Sequence, residues 1–127
     1  MGKRIGIGAE GILHKQFARL VRGYQGCNQL KVKWWTYSAS GEYRKPTTGA
    51  LLKAKGLNTG FSDYHFIYNI DNFDYNLFIE FKANKNKQSE SQQSFENLFI
   101  DSKNSFYYVA YSVEEAINIL KQHNLIK

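Results

Sequence analysis

The chain has 127 residues, 43% of them hydrophobic and including nine Phe, nine Tyr and two Trp, so it reads as one domain with a real core. No run of eighteen apolar residues exists to cross a membrane, Met1–Gly6 does not read as a signal peptide, and the lone Cys27 excludes an internal disulfide or a cysteine-rich zinc site, which points to the reducing cytoplasm. The net charge of +6 is uneven: residues 1–60 carry eleven Lys or Arg against two acids, residues 61–127 carry six against nine, so the first half expects an anionic partner.

In chain order, Gly8-Ala9-Glu10 opens a helix in which Ile12, Leu13, Phe17, Leu20 and Val21 recur at helical spacing, and Gly23 and Gly26 are expected to stop it. Leu30 to Tyr37 reads as a strand and Ser38 to Arg44 as a polar loop. Pro46 starts a short helix through Lys55 that Gly56 ends, and Asn58-Thr59-Gly60 turns the chain into a strand over Phe61–Ile70. Asp71–Asp74 is a hairpin connection into a second strand. After the polar stretch Asn84–Ser91, a helix from about Glu90 to Ser102 turns Phe95, Leu98 and Phe99 inward. Ser105–Tyr111 is a strand. Ser112-Val113-Glu114-Glu115 is a capping box opening a last helix with Ala116, Ile117, Leu120 and Leu125 as its apolar stripe. The order α-β-α-β-β-α-β-α predicts an α/β domain around a central sheet.

The strand Leu77-Phe78-Ile79-Glu80-Phe81-Lys82-Ala83 stands out. Side chains alternate between strand faces, so Leu77, Ile79, Phe81 and Ala83 share one face, and Phe78, Glu80 and Lys82 share the other. Charges in so apolar a run are costly unless solvated, paired or bound to something. Asp63 lies seventeen positions before Glu80. Two carboxylates holding a divalent cation, with a lysine beside them, form an arrangement that cleaves phosphodiesters. A wet strand face is the plain alternative.

The landmarks together resemble the VRR-NUC family of the PD-(D/E)xK nuclease superfamily. Glu10 matches the glutamate of the first helix, and Gly56–Asp63 matches the glycine-bracketed turn into the metal aspartate, with Ser62 where the family has proline. Phe78–Ala83 matches the strand ending in Glu-x-Lys. A Ser-rich loop leads to Gln92 at a helix start, and Tyr108–Ala116 matches the closing strand and helix. The likeness spans roughly residues 8–123. It implies a restriction-endonuclease-like, Holliday-junction-resolvase-like core, a central mixed sheet flanked by helices, with residues 1–127 as a single nuclease domain. It also implies Mg²⁺ or Mn²⁺ as cofactor, DNA as partner and a homodimer.

By that resemblance Asp63, Glu80, the backbone carbonyl of Phe81 and Glu10 hold the metal. Lys82 orients the attacking water or binds the scissile phosphate, and Gln92 hydrogen-bonds near the metal or the water. Each has a plainer role open to it: Asp63 as a turn residue, Glu10 as a helix-start acid, Gln92 as a solvated first-turn residue. His14, four residues after Glu10, is expected to pack or face solvent. Arg44, Lys45, Lys53, Lys55, Lys85 and Lys87 are the candidate DNA contacts, and Tyr37 and Tyr43 either stack on a base or belong to the core. The expected activity is metal-dependent, structure-selective cleavage of branched DNA in a bacterial or phage-infected cell. The alternative is a catalytically silent DNA-binding or assembly module on the same fold.

Overall fold

In a computed structural model, the chain is described over residues 9–38, 46–58, 60–83 and 87–126. Four helices, α1 (Ala9–Gly26), α2 (Pro46–Ala54), α3 (Glu90–Asn97) and α4 (Val113–Gln122), alternate with four strands. The strands are β1 (Trp34–Tyr37), β2 (Tyr64–Ile70), β3 (Phe73–Phe81) and β4 (Ser105–Ala110), lying in one sheet in the order β1-β2-β3-β4. The β1–β2 and β2–β3 pairs are antiparallel. Between β3 and β4 the backbone bonds Asn76 N–Asn104 O (2.8 Å) and Lys82 N–Ala110 O (3.0 Å) advance in the same direction, so this pair is parallel. The expected α/β class and mixed sheet are thus present. No helix among the described residues is long and apolar enough to cross a membrane.

The chain divides into two compact units built from separated segments. The first comprises Met1–Lys31, Phe81–Asn86 and Val109–Lys127; the second comprises Val32–Glu80 and Lys87–Tyr108. In the first unit α1 packs on α4. Its core is Phe17, Val21, Phe81, Ala110, Ala116, Ile117, Leu120, Leu125 and Ile126, all buried. Phe17 and His14 meet the Phe81 ring edge-on at centroid distances of 5.2 and 5.4 Å, so His14 packs internally, one of its two expected roles.

Helix α1 runs past Gly23 and has Gly26, the second expected stop, as its last residue. Asn28 closes it, in a left-handed conformation (φ 58°), with Asn28 N donating to Gln25 O and Gln29 N to Tyr24 O. That pair of bonds is a Schellman closure, and a mid-helix glycine costs only about 1 kcal/mol, too little to break a helix whose buried face continues through Val21. Gly56 (φ 105°) and Asn124 (φ 60°) close α2 and α4 with the same two bonds, Leu57 N–Leu52 O with Gly56 N–Lys53 O, and Leu125 N–Leu120 O with Asn124 N–Lys121 O.

The expected strand Leu30–Tyr37 splits. Leu30 bridges Ile126, and Lys31 N donates to Leu125 O, whereas only Trp34–Tyr37 pairs with β2. The apolar run carries no mark of a change of partner. Strand β2 begins at Tyr64 rather than Phe61. The β2–β3 hairpin is tight: Ile70 faces Phe73 across Asp71 (φ 52°) and Asn72 (φ 71°). Two positive φ angles match the right-handed strand twist, and Asp and Asn tolerate them.

In the second unit, one face of the sheet carries Tyr64, Phe66, Tyr68, Leu77 and Ile79, all buried. On the other face Phe78 packs against Phe95 (5.2 Å) and Phe99 (4.8 Å). Helix α3 is shorter than expected, ending at Asn97, and Leu98 is 71% exposed rather than inward. The turn bonds Leu98 N–Phe95 O and Phe99 N–Glu96 O tighten the chain after Asn97, so Phe99 reaches the sheet and Leu98 does not. The expected capping box of α4 is half formed. Ser112 Oγ accepts from Glu115 N (3.0 Å), but Glu115 reaches one residue further back, to Tyr111 N (3.1 Å).

Candidate functional site

The β2–β3 register pairs Tyr64 with Ile79, so one step outward sets Asp63 opposite Glu80. Ser38 N donates to Asp63 O (2.7 Å), one backbone bond beyond the Tyr37–Tyr64 rung of the β1–β2 pair. Directly opposed residues of an antiparallel pair share a face, with Cβ atoms about 4.5–5.5 Å apart. Both carboxylates are withdrawn from water: Asp63 is 8% exposed and Glu80 is 2% exposed. The wet-face alternative for the Glu80 strand therefore falls. Ser62, in the proline position of the resembled pattern, is fully buried, and its Oγ donates to Tyr64 O (2.9 Å).

Gln92 reaches this pair. Its Nε2 donates to Glu80 Oε2 at 2.7 Å. The amide is aimed by the start of α3, where Ser89 is the N-cap. Ser89 Oγ accepts from Gln92 N (3.2 Å), and Gln92 Oε1 accepts from Ser89 N (2.9 Å). With Oε1 committed to the capping box, Nε2 is the end left to face the strand. Gln92 is thus no solvated first-turn residue.

Gly60 lets this happen. Its φ of 97° lies in the region that favours glycine, and a Cβ there would collide with the backbone carbonyl of Ser91, whose carbon would be 2.7 Å away. The turn into Asp63 and the first turn of α3 approach as closely as they do because no side chain intervenes. The ring of Phe61, between Gly60 and Asp63, tilts against Phe95 at 5.0 Å.

The field of the two carboxylates is felt by nearby phenols. Burial pushes the Tyr64 hydroxyl well above its usual pKa, and Asp63 adds to the shift. Tyr107 is likewise pushed up, first by burial, against a hydrogen bond from Gln88 that lowers it, with Glu80, Glu96 and Asp63 raising it further.

Of the expected site residues, the second unit thus contains Asp63, Glu80 and Gln92. Glu10, Phe81 and Lys82 belong to the first. There Glu10 Oε2 accepts from Ala83 N at 3.5 Å, setting the first-helix glutamate at the end of the Glu-x-Lys strand. Lys82 N donates to Ala110 O, so the β3–β4 ladder runs through the lysine.

Two carboxylates are oxygen donors of the kind a hard divalent cation takes, and Mg²⁺ commonly makes do with one or two, completing its shell with water and phosphate. Among the described residues no three His, Cys, Asp or Glu side chains gather to hold a metal ion by themselves. The donor set fits Mg²⁺ or Mn²⁺ on those terms.

Lys53, Lys55 and Lys87 are exposed, Lys53 in the last turn of α2, where the helix dipole also favours a cation. Arg44, Lys45 and Lys85, with Tyr43, lie outside the described residues. Tyr37 lies against the ring of Tyr64 at 5.3 Å, the core role of its two expected roles. Residue reasoning on the sequence passed over Ser89, although Ser89-x-x-Gln92 is a readable capping-box signal, and over Tyr107, which carries no signal outside the fold. Comparison with protein-family models, with curated proteins and with solved structures returned no match.

Proposed function

We propose that the chain is a divalent-metal-dependent DNA endonuclease on a PD-(D/E)xK core of the VRR-NUC kind, acting on branched DNA such as four-way junctions. The observation that carries this reading is that Asp63 and Glu80, both buried, each lie one residue beyond the Tyr64–Ile79 rung of the β2–β3 register, with Gln92 bonded to Glu80. Two carboxylates kept side by side out of water repel each other and lose hydration. A chain selected for stability alone has little reason to retain them; a cation held by them would offset both costs.

Asp63 and Glu80 would hold Mg²⁺ or Mn²⁺, which would supply a more acidic water and neutralisation of charge on the phosphoryl oxygens. Asp63 and Glu80 would supply carboxylate oxygens, and by the resemblance the Phe81 carbonyl would add a further one. The Gln92 amide fixes the rotation of the Glu80 carboxylate through Oε2. The Lys82 ammonium orients the attacking water or binds the scissile phosphate, and Glu10 supports the strand end through Ala83 N. Lys53, Lys55 and Lys87, with Arg44, Lys45 and Lys85, neutralise flanking phosphates. Paired cuts across a junction call for two active sites, hence a homodimer. The setting is the reducing cytoplasm of a bacterial or phage-infected cell.

A silent DNA-binding module is the second reading, favoured by the lack of a three-donor cluster among the described residues. The experiment that separates the two is cleavage of a labelled four-way junction, a splayed arm and a linear duplex with Mg²⁺, Mn²⁺ or EDTA, in wild type and Asp63→Ala. Metal-dependent cutting that vanishes in Asp63→Ala, with DNA binding retained, is the expected result. Tight binding without cutting in any metal favours the silent module.

A further inference from the structure

Tyr107 lies on β4, one strand over from Glu80. Asn76 Nδ2 donates to Ser105 Oγ (3.4 Å), so these two residues share a face of the parallel β3–β4 pair. Two residues further along each strand, Phe78 and Tyr107 share that same face, and Glu80 follows Phe78 on it by alternation. The Tyr107 ring is set by an edge contact with Phe95 at 6.0 Å. Its hydroxyl accepts a hydrogen bond from Gln88 Nε2 at 3.3 Å. One stretch of chain, Gln88 to Gln92, therefore sends one amide to Tyr107 and another to Glu80.

A phenol both accepts and donates. Gln88 uses an acceptor site and leaves the O–H as a donor, and among the described residues no acceptor takes it. Burial and the neighbouring carboxylates keep that proton on the oxygen throughout the working pH range. A phosphodiester approaching Asp63 and Glu80 meets two negative groups. A neutral O–H on the same face attracts its oxygens without adding a charge that competes with a cation.

We infer that the Tyr107 hydroxyl is a phosphate-binding donor of the Asp63–Glu80 site, hydrogen-bonding a nonbridging oxygen of the phosphodiester bound there. This rests on the nuclease reading and adds a residue to it that neither the Glu-x-Lys pattern nor the metal requires.

The test is Tyr107→Phe, which keeps the ring and removes only the hydroxyl. A hydrogen bond to a charged oxygen predicts about a 10- to 100-fold loss of kcat/KM on the junction substrate. A substrate with sulfur in place of one nonbridging oxygen reads the contact in the unaltered protein. One diastereomer is expected to be cut about tenfold more slowly, without rescue by Mn²⁺, and Tyr107→Phe is expected to add no further loss on it. The sulfur effect in the unaltered protein stands even if the variant folds poorly.

A second arm does not need cleavage. The dinucleotide TpT is titrated calorimetrically into wild type and Tyr107→Phe with Ca²⁺, and about tenfold weaker binding by the variant is expected. Wild-type cutting with unchanged turnover, TpT affinity and sulfur effect in the variant overturns the role of Tyr107 and leaves the nuclease reading intact. Absent cutting with the expected loss of TpT affinity overturns the nuclease and keeps the phosphate donor. Absence of both overturns both.

Discussion

The two ends of strand β3 carry the same chemical group in opposite circumstances. Asp74, near the hairpin, accepts from Asn69 Nδ2 and Lys33 Nζ, each at 3.0 Å, and its side chain is 57% exposed. The Asn69 hydrogen bond, then Lys33, holds its carboxyl below the usual range. Glu80, six residues on and on the same face by alternation, is 2% exposed and is held by a neutral amide. A wet carboxylate with a lysine partner needs no function to explain it, because water has already met its solvation cost. A buried carboxylate with a second one near by carries a solvation cost that a bound cation would offset, which is the basis of the proposed site. The distinction lies in location, since both residues are acids in an alternating strand.

The largest expected effect comes from removing charge at each end. Glu80→Gln should lower cleavage by about a thousandfold or more, the loss of several kcal/mol of transition-state stabilisation, while the melting temperature holds or rises. Asp74→Asn should leave both unchanged within measurement scatter. A Glu80→Gln protein that melts lower and still cuts would make Glu80 a structural residue and erase the contrast.

Next come two glycines. Gly60→Ala should destabilise the fold by about 2–4 kcal/mol in denaturant unfolding, because a methyl there meets the Ser91 carbonyl at an unfavourable φ. Gly23→Ala, in mid-helix with nothing within 4 Å of its added carbon, should stabilise by about 0.5–1 kcal/mol. Opposite signs would separate the glycine that serves the site from the one that does not.

Ser89→Ala removes the N-cap of α3 and should cost about 1 kcal/mol of stability. It also releases the Gln92 amide from its fixed aim, so a cleavage loss larger than that of an equally destabilising variant elsewhere is expected. Equal losses would mean that the cap orients nothing.

The smallest effect is a pH dependence. Burial lowers the pKa of His123, so the unfolded chain binds this proton more tightly than the folded one. Stability is then fully present above the ordinary histidine pKa of about 6.5 and declines as pH falls below it. Denaturant midpoints at pH 8 and pH 5.5 should differ less in His123→Gln than in wild type.

Local signals carried much of the fold. Element order, the Gly56 stop and the apolar stripe of α4 were readable because spacing and turn chemistry act over a few residues, and so was the hairpin after Ile70, although Phe73 and Asp74 of the expected Asp71–Asp74 connection belong to β3. The errors fall where a distant partner intervenes. Leu30 and Trp34 sit in one apolar run yet pair with Ile126 and Ile67, and Leu98 points outward because the chain tightens after Asn97 to bring Phe99 onto Phe78.

At the candidate site the division is the same. The amino-acid sequence alone marked the candidates Asp63 and Glu80 and the strand that carries Glu80, since residue type and alternation are local properties. Tertiary structure decided that Asp63 and Glu80 are both buried one step beyond the Tyr64–Ile79 rung, that Gln92 points at Glu80 because a capping box holds its other end, and that Tyr107 shares the Glu80 face. Register, burial and hydrogen-bond direction are set by residues far apart in the chain, and only folding brings those residues together.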